Sequence, residues 1–460
     1  MATGTNAAPR LTASDELMWR IESDPVLRSP ILVIGLLDRV PSDVEVRAAL
    51  ASWQQEFPRL RQRMVPAPRL QGGSRWVECG ESSLDYHVRR VRAPEPADLD
   101  AVLAIAAPTA TAAFDSARPL WELTLVEGLG GGRSAVVLRF HHSLTDGVGG
   151  VALAGQLFDR SRRPRRRRQH DPPRPVRTTA LQRSIGTTVQ LTAGATRFGL
   201  SLVRHPIATI DDGRRLARSL ARALAPASPG SPELRGRGLD RRLDALEVPL
   251  ERLQWAAHAT GCTLNDVLLA AVGGAMATYH RRAGHPISVL QCTMPINLRT
   301  ESDPRGGNRF APARFVLPID DPDPAVRARI AGTIARRWRS EPALAWTAHV
   351  SEILDLLPGP ALTWLLGGML KNVDVDVVNV PGLRHPAYFA GARVDRLWAF
   401  APPTGAALSV TLVSHLDTCC LGLLSDTQAV GDHELLRACF DSSLAEVLQL
   451  GPETSIRRPA

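Results

Sequence analysis

Lysine is almost missing from this chain: of its 55 lysines and arginines, only Lys371 is a lysine. Together with 36 glycines, 36 prolines and abundant alanine, that skew reads as a coding bias, so the net charge of +9 says little about partners on its own. A basic surface suits an anionic ligand or an anionic membrane. Aromatic residues make up only 5% of the chain. With no zinc-finger or basic-zipper pattern either, no nucleic-acid partner is expected. Cysteine is thin as well: six are scattered at 79, 262, 292, 419, 420 and 439, with no C-x-x-C pair. Adjacent Cys419 and Cys420 make a poor disulfide candidate, and reduced thiols in a cytoplasmic protein are the plain reading. No stretch approaches the roughly 20 apolar residues of a spanning helix. The opening Met-Ala-Thr-Gly-Thr-Asn lacks the charged and apolar regions of a signal peptide.

What is present is 460 residues with 44% hydrophobic content, enough for two domains with substantial cores. The best-organised stretch runs from Ser134 to Phe140, a buried strand by pattern, into His141-His142-Ser143-Leu144-Thr145-Asp146-Gly147. Val151, Ala154, Leu157 and Phe158 then recur at helical spacing. Strand side chains alternate faces. His142 is therefore expected beside Val136, Leu138 and Phe140, and His141 beside Ala135, Val137 and Arg139. A histidine in an apolar cavity is suited to act as a neutral general base near pH 7. Asp146 is placed to cap the next helix, pair with a cation or hold the turn.

Elsewhere the pattern alternates helix and strand. Ser14 or Asp15 is placed to cap a short helix before the strand Ile31–Leu37. Residues 42–56 read as an amphipathic helix with Val44, Val46, Leu50 and Trp53 inward, and strands are expected around Arg75-Trp-Val and Tyr86-His-Val. Pro119-Leu120-Trp121 opens another strand; its plain reading is a proline-terminated edge strand with a core tryptophan. The run Arg160–Arg168 followed by prolines reads as a solvated linker, or as a dock for anionic headgroups or phosphates. Residues 181–226 resume helical spacing, as a bridge or an interfacial helix. Helices are expected at Leu250–Thr260, from a Thr263 cap onward, and at His433–Leu448. Residues 357–371 are the most apolar stretch, too short to span a bilayer but suited to a buried or interfacial helix. The chain divides accordingly into 1–180, a helical linker 181–236, and 237–460.

His-His-x-x-x-Asp-Gly resembles the signature of the coenzyme A-dependent acyltransferase superfamily, which includes chloramphenicol acetyltransferase and condensation domains. Four further signatures stand in order: Pro119-Leu-Trp121, Asn265-Asp266, Gly307-Asn308 and Asn379-Val-Pro-Gly382. Together these resemble the bacterial wax ester synthase/diacylglycerol acyltransferase family. Two departures stand out: the family's Met-His-Val-Gly is absent from the first strand, and Val378 replaces the serine before Asn379. The resemblance implies an α/β fold of two chloramphenicol-acetyltransferase-like (condensation-domain-like) domains with mixed sheets, and a histidine at their junction. It implies acyl transfer from acyl-CoA to diacylglycerol or a long-chain alcohol, at a membrane or lipid-inclusion surface. Acyl-CoA would be a substrate, with no cofactor and no metal. His142, His141 and Asp146 would form the catalytic group, with Asp146 anchoring the loop. Gly147, Asn265, Asp266, Pro119, Leu120, Trp121, Asn308 and Asn379 would lie at the substrate.

The residues fit that chemistry. An alcohol attacking a thioester needs a base, and the tetrahedral oxyanion needs a donor. Asn265 or backbone N–H groups near Gly147–Gly150 are candidate donors. Other readings are a metal site at His141, His142 and Asp146, a condensation-type enzyme using a carrier-protein thioester, and a non-catalytic lipid-inclusion protein. For Asp266 the plain alternative is a first-turn acid on a helix dipole.

Overall fold

The computed structural model describes residues 11–66, 74–80, 84–144, 157–162, 230–297, 310–341, 351, 354 and 357–451. Most of the 181–236 linker, the arginine run beyond residue 162, and the site residues Asp146, Gly147 and Asn308 lie outside them.

Two six-stranded mixed sheets form the frame. The first takes β1 (Pro30–Leu37), β4 (Val88–Arg92), β5 (Trp121–Leu129) and β6 (Arg133–His141), joined by β11 (Ala387–Phe389) and β12 (Ala392–Phe400). Their order is β11-β12-β1-β6-β5-β4. A small hairpin of β2 (Gln62–Val65) and β3 (Arg75–Glu78) stands apart. The second sheet, ordered β7-β14-β13-β10-β8-β9, takes β7 (Arg241–Pro249), β8 (Val289–Asn297), β9 (Phe310–Pro318), β10 (Val375–Val380), β13 (Leu408–His415) and β14 (Thr418–Asp426). Both sheets are mixed: β4 pairs parallel with β5, and β10 pairs parallel with β8 and β13. The α/β class with mixed sheets is thus present.

The two lobes do not divide at one point in the chain. Strands β11 and β12 come after residue 237 yet complete the first sheet, with β12 running antiparallel to β1. A β1 edge made of Ile, Leu and Val would be an open pairing template, and β12 closes it. With β12 on one side and β6 on the other, β1 is central, which explains its near-continuous apolar run. The sheets meet where β12 reaches β14. Gly422 lies so close to the Ala399 carbonyl that a Cβ there would sit 2.4 Å from the oxygen. Trp398 Nε1 donates to the Leu246 carbonyl at 3.4 Å, and the Ala401 N–H donates to Thr411 Oγ1 at 3.0 Å.

The helices follow from caps and stripes. Helix α1 (Ala13–Ile21) is capped by Thr12, with Asp15 as its capping-box partner, rather than by Ser14 or Asp15. Helix α2 (Asp43–Glu56) buries Val46, Leu50 and Trp53, but Val44 is 78% exposed. The i, i+4, i+7 stripe through 46, 50 and 53 puts position 44 on the opposite face. Tyr86-His87 belongs to a single helical turn, α3 (Leu84–His87), and the strand begins only at Val88. Helix α4 (Leu99–Ala106) lies on the first sheet; α5 (Leu250–Thr260), α6 (Leu264–Arg282), α7 (Pro324–Arg339) and α9 (His433–Leu448) cover one face of the second. Helix α8 (Gly359–Leu370) packs on α1, with Leu362 against Leu17, Ile21 and Leu27. No single described helix is long and apolar enough to cross a membrane; α5 and α6 pass only as a pair bent by 95°. The apolarity of α6 serves the second lobe's core, where Val267 to Met276 are buried.

Candidate active site

Strand β6 delivers the two histidines. Its two faces do different things. Val136, Leu138 and Phe140 pack with Trp53, Trp121 and Leu123 in the first lobe's own core. Ala135 and Val137 pack with Trp398, Phe400, Cys420 and Leu424, toward the second sheet. The face of Phe140 is therefore part of the first lobe's core. The strand ends at His141, and His142 opens a 3₁₀ turn through Leu144. The alternation holds for His141, and beyond it the His142 N–H still donates to the Ser29 carbonyl at 3.1 Å as the chain enters the turn.

His141 is fully buried and fixed on every side. Its Nδ1 accepts the Ser143 N–H at 3.0 Å and lies 2.6 Å from Ser143 Oγ. Its Nε2 lies 2.8 Å from Glu22 Oε1. That approach is off the ring's N–H axis, so it is a close polar contact rather than an aligned hydrogen bond. Trp19 and Phe114 meet the ring edge-on at centroid distances of 5.6 and 6.0 Å. Below it on the same face, the Arg139 guanidinium stacks over Phe114 at 3.8 Å and reaches Glu122 at 3.2 Å. It also donates to the Ala112 carbonyl. Burial lowers the Arg139 pKa, against the pull of Glu122.

Glu22, the residue that closes α1, carries no motif. Its Oε1 also accepts the Ser29 N–H at 2.8 Å. Burial pushes its carboxyl up, but His141 and the Ser29 N–H outweigh that and hold it below the ordinary range. Ser29 in turn accepts the His142 N–H on its carbonyl at 3.1 Å. One acid thus ties the first helix, the start of β1 and the histidine turn together. Near it Asp15 is buried, and burial raises its pKa against the pull of Arg59. Sequence reading missed Glu22, because its partner lies about 120 residues away and nothing local marks it.

The remaining signature residues fall into three groups. The first is core. Trp121 is fully buried, with its Nε1 donating to the Leu60 carbonyl at 2.9 Å and its ring stacked on His87 at 4.4 Å. The Leu120 carbonyl accepts the His141 N–H at 3.0 Å, and Pro119 is buried beside it. The resemblance puts Pro119-Leu120-Trp121 at the substrate; the structure puts them in the core, where they pin the end of β6. Their side chains are fully covered and their polar atoms satisfied within the fold.

The second group stands at the start of α6. Thr263 caps the helix, and Asp266 Oδ2 accepts both the Thr263 N–H at 2.9 Å and Oγ1 at 2.8 Å. Asp266 is buried against Gly332 of α7, where a Cβ would lie 3.1 Å from Oδ2. That is the capping role rather than a substrate contact. Asn265 is half-buried, with Nδ2 3.0 Å from Met294 Sδ on β8. The third group ends β10. Asn379 is half-buried opposite Leu412 of β13, and Val378, in place of the family serine, is buried. Gly382 lies so close to β13 that a Cβ would sit 1.8 Å from the Ser414 carbonyl oxygen. That glycine cannot carry a side chain unless the backbone moves.

Comparison with known proteins agrees with this geometry. The chain matches the wax ester synthase/diacylglycerol acyltransferase catalytic domain over residues 11–268 and the WS/DGAT C-terminal domain over residues 306–447. It is 34% identical to a putative diacylglycerol O-acyltransferase of Mycobacterium tuberculosis, over 96% of this chain and 93% of that one. It is 26% identical to a probable diacylglycerol O-acyltransferase, tgs1, of the same species, over 95% and 96%. Among solved structures, the wax ester synthase/diacylglycerol acyltransferase of Marinobacter aquaeolei VT8 has the same fold, with a TM-score of 0.64 and 21% identity over 96% and 99% of the two chains. The first condensation domain of the calcium-dependent antibiotic synthetase shares it too, with a TM-score of 0.62 and 18% identity over 97% of each chain. Two family models spanning most of the chain, and a full-length relative above 30% identity, place this protein in the wax ester synthase/diacylglycerol acyltransferase family.

Proposed function

We propose that this protein is an O-acyltransferase that moves a long-chain acyl group from acyl-CoA to diacylglycerol, a long-chain alcohol, or both, with His142 as general base. The observation that carries the assignment is the contrast between the two imidazoles. His141 is 0% exposed with both ring nitrogens turned into the protein, whereas His142 keeps 9% of its surface at the break in the strand. His141 is thus assigned as the positioning residue, and His142, the less enclosed of the two, as the base.

In the proposed reaction the alcohol O–H attacks the thioester carbon and forms the new C–O bond as His142 takes the proton. The tetrahedral adduct collapses, the C–S bond breaks, and His142 returns the proton to the thiolate, releasing free coenzyme A. No metal or redox group enters this balance. Asp146 is assigned to anchoring the loop, and the oxyanion donor to Asn265 or the backbone of 147–150.

Peripheral attachment to a membrane or lipid inclusion on the cytoplasmic side is part of this reading. Helix α8 supports it, with Leu362, Gly367 and Met369 inward and Trp364 80% exposed. An outward tryptophan on an apolar helix suits the bilayer interface. The test of the activity is thiol release from palmitoyl-CoA by the purified protein, with diacylglycerol, hexadecanol or no acceptor. Acceptor-dependent release is expected; its absence with both acceptors overturns the reading.

A further inference from the structure

The second sheet carries a polar row that none of the signatures covers. Along β10, Val375 and Val377 point into the second lobe's core, so Asp376 points the other way. In register beside it stand Thr293 of β8 and Ser409 of β13, and beyond Thr293 stands Arg314 of β9. Thr293 Oγ1 donates to Asp376 Oδ1 at 2.7 Å, and Ser409 Oγ reaches Oδ2 at 3.4 Å. The row lies beside α8, where Arg314 reaches the Met369 carbonyl at 3.5 Å. Helix α8 packs on α1, which carries Trp19 and, at its end, Glu22 against His141. The row and the histidine turn therefore border one α1–α8 layer.

Asp376 is only half-buried, so this hydrogen-bonded row keeps some surface on the side of the sheet away from the second lobe's core. Burial pushes its carboxyl up to about 7, with the hydroxyls of Thr293 and Ser409 pulling it back. An acid in such a place is a hydrogen-bond donor for much of the time, not a fixed charge. An apolar chain passing by has no use for it, and a valine would fill the same strand position without the desolvation cost.

We propose that Thr293, Asp376 and Ser409 form a substrate-recognition subsite that binds an uncharged carbonyl of a bound substrate through the Asp376 carboxyl. This rests on the acyltransferase reading and deepens it. Two substrate carbonyls share that chemistry: an ester of the diacylglycerol acceptor, and an amide of the coenzyme A arm of the donor. Hexadecanol lacks the first, and the S-ethyl thioester of palmitate lacks the second.

The experiment measures thiol release by the full-length protein and its Asp376→Leu, Thr293→Val and Ser409→Ala variants. One arm gives the ratio of kcat/KM for dioleoylglycerol over hexadecanol, the other that for palmitoyl-CoA over S-ethyl palmitate. Losing one buried hydrogen bond should lower one of these ratios about tenfold in Asp376→Leu and about threefold in Thr293→Val. The arm that moves identifies the carbonyl. General loss of structure lowers numerator and denominator together and moves neither ratio. Both ratios holding within twofold in the folded variants overturns the proposal. If Asp376→Leu does not fold, Thr293→Val and Ser409→Ala decide it by the same criterion. Wild-type protein releasing no thiol with either acceptor fails the acyltransferase reading instead.

Discussion

At the scale of single residues, neighbouring histidines have opposite assignments. General-base catalysis contributes about 10²–10⁴ in rate, so His142→Ala should lose at least about 10²-fold in kcat with its melting temperature kept. His141→Ala should lose less activity but melt lower, because it empties a fully buried site between Glu22, Trp19 and Phe114. Glu22→Gln and Asp146→Asn should resemble His141→Ala. Steady-state kinetics beside thermal melts will tell the classes apart; a His142→Ala enzyme with wild-type turnover sinks the assignment. The motif made the histidines legible in the sequence, but not their surroundings. Alternation correctly put His141 with Arg139, whereas the 3₁₀ turn that opens at His142 left no mark in the pattern. Glu22 was invisible because its meaning is tertiary.

Asp376 also makes stability depend on pH. Its pKa rises from 3.8 in the free chain to about 7 in the fold, so the folded state holds the proton more tightly. Below pH 3.8 both states are protonated and the acid costs nothing. As pH climbs, the unfolded chain ionises freely and stability is lost until the folded group also ionises near 7. Between pH 5 and pH 8, Asp376→Asn should gain about 2–3 kcal/mol relative to wild type at 1.36 kcal/mol per pKa unit. Urea unfolding at the two pH values checks this, and a difference independent of pH contradicts it.

At the scale of elements, helices were easier to read than sheet membership. Leu250–Thr260 and His433–Leu448 stand where periodicity and caps put them. Trp121 and Asp266 turned out to be a core tryptophan and a helix cap, the plain alternatives to substrate contact. Helix α8 was read as buried or interfacial, and its two faces divide along those lines: Leu362 inside, Trp364 outside. Trp364→Ser should therefore weaken binding to anionic liposomes several-fold without changing the melting temperature. Co-sedimentation at low and high salt measures it. Binding that survives both high salt and carbonate washing contradicts a peripheral attachment.

At the scale of the whole molecule, the first lobe is not contained in the first half of the chain. Residues 1–236 made alone lack β11 and β12, leaving the apolar edge of β1 unpaired. Such a fragment should aggregate, and co-expression with residues 237–460 should return it to a soluble complex seen as one peak in gel filtration. A soluble, folded fragment on its own would contradict this. No periodicity could have disclosed the exchange: β12 reads as an ordinary strand, and its choice of sheet is fixed by contacts with β1 and β14 far away in sequence.

That exchange also sets a clock. Leu37 leaves the ribosome 355 positions ahead of Ala392, and in the finished fold β1, which ends at Leu37, lies between β6 and the strand that Ala392 opens. At about 5–20 residues per second, β1 waits roughly twenty to seventy seconds for that partner. The sheet that holds the histidines is therefore among the last parts of the protein to be completed. A chain cut short before residue 400 is not a partial enzyme but a sticky intermediate, and the histidine turn can settle into its place only once the chain has been made as far as β12.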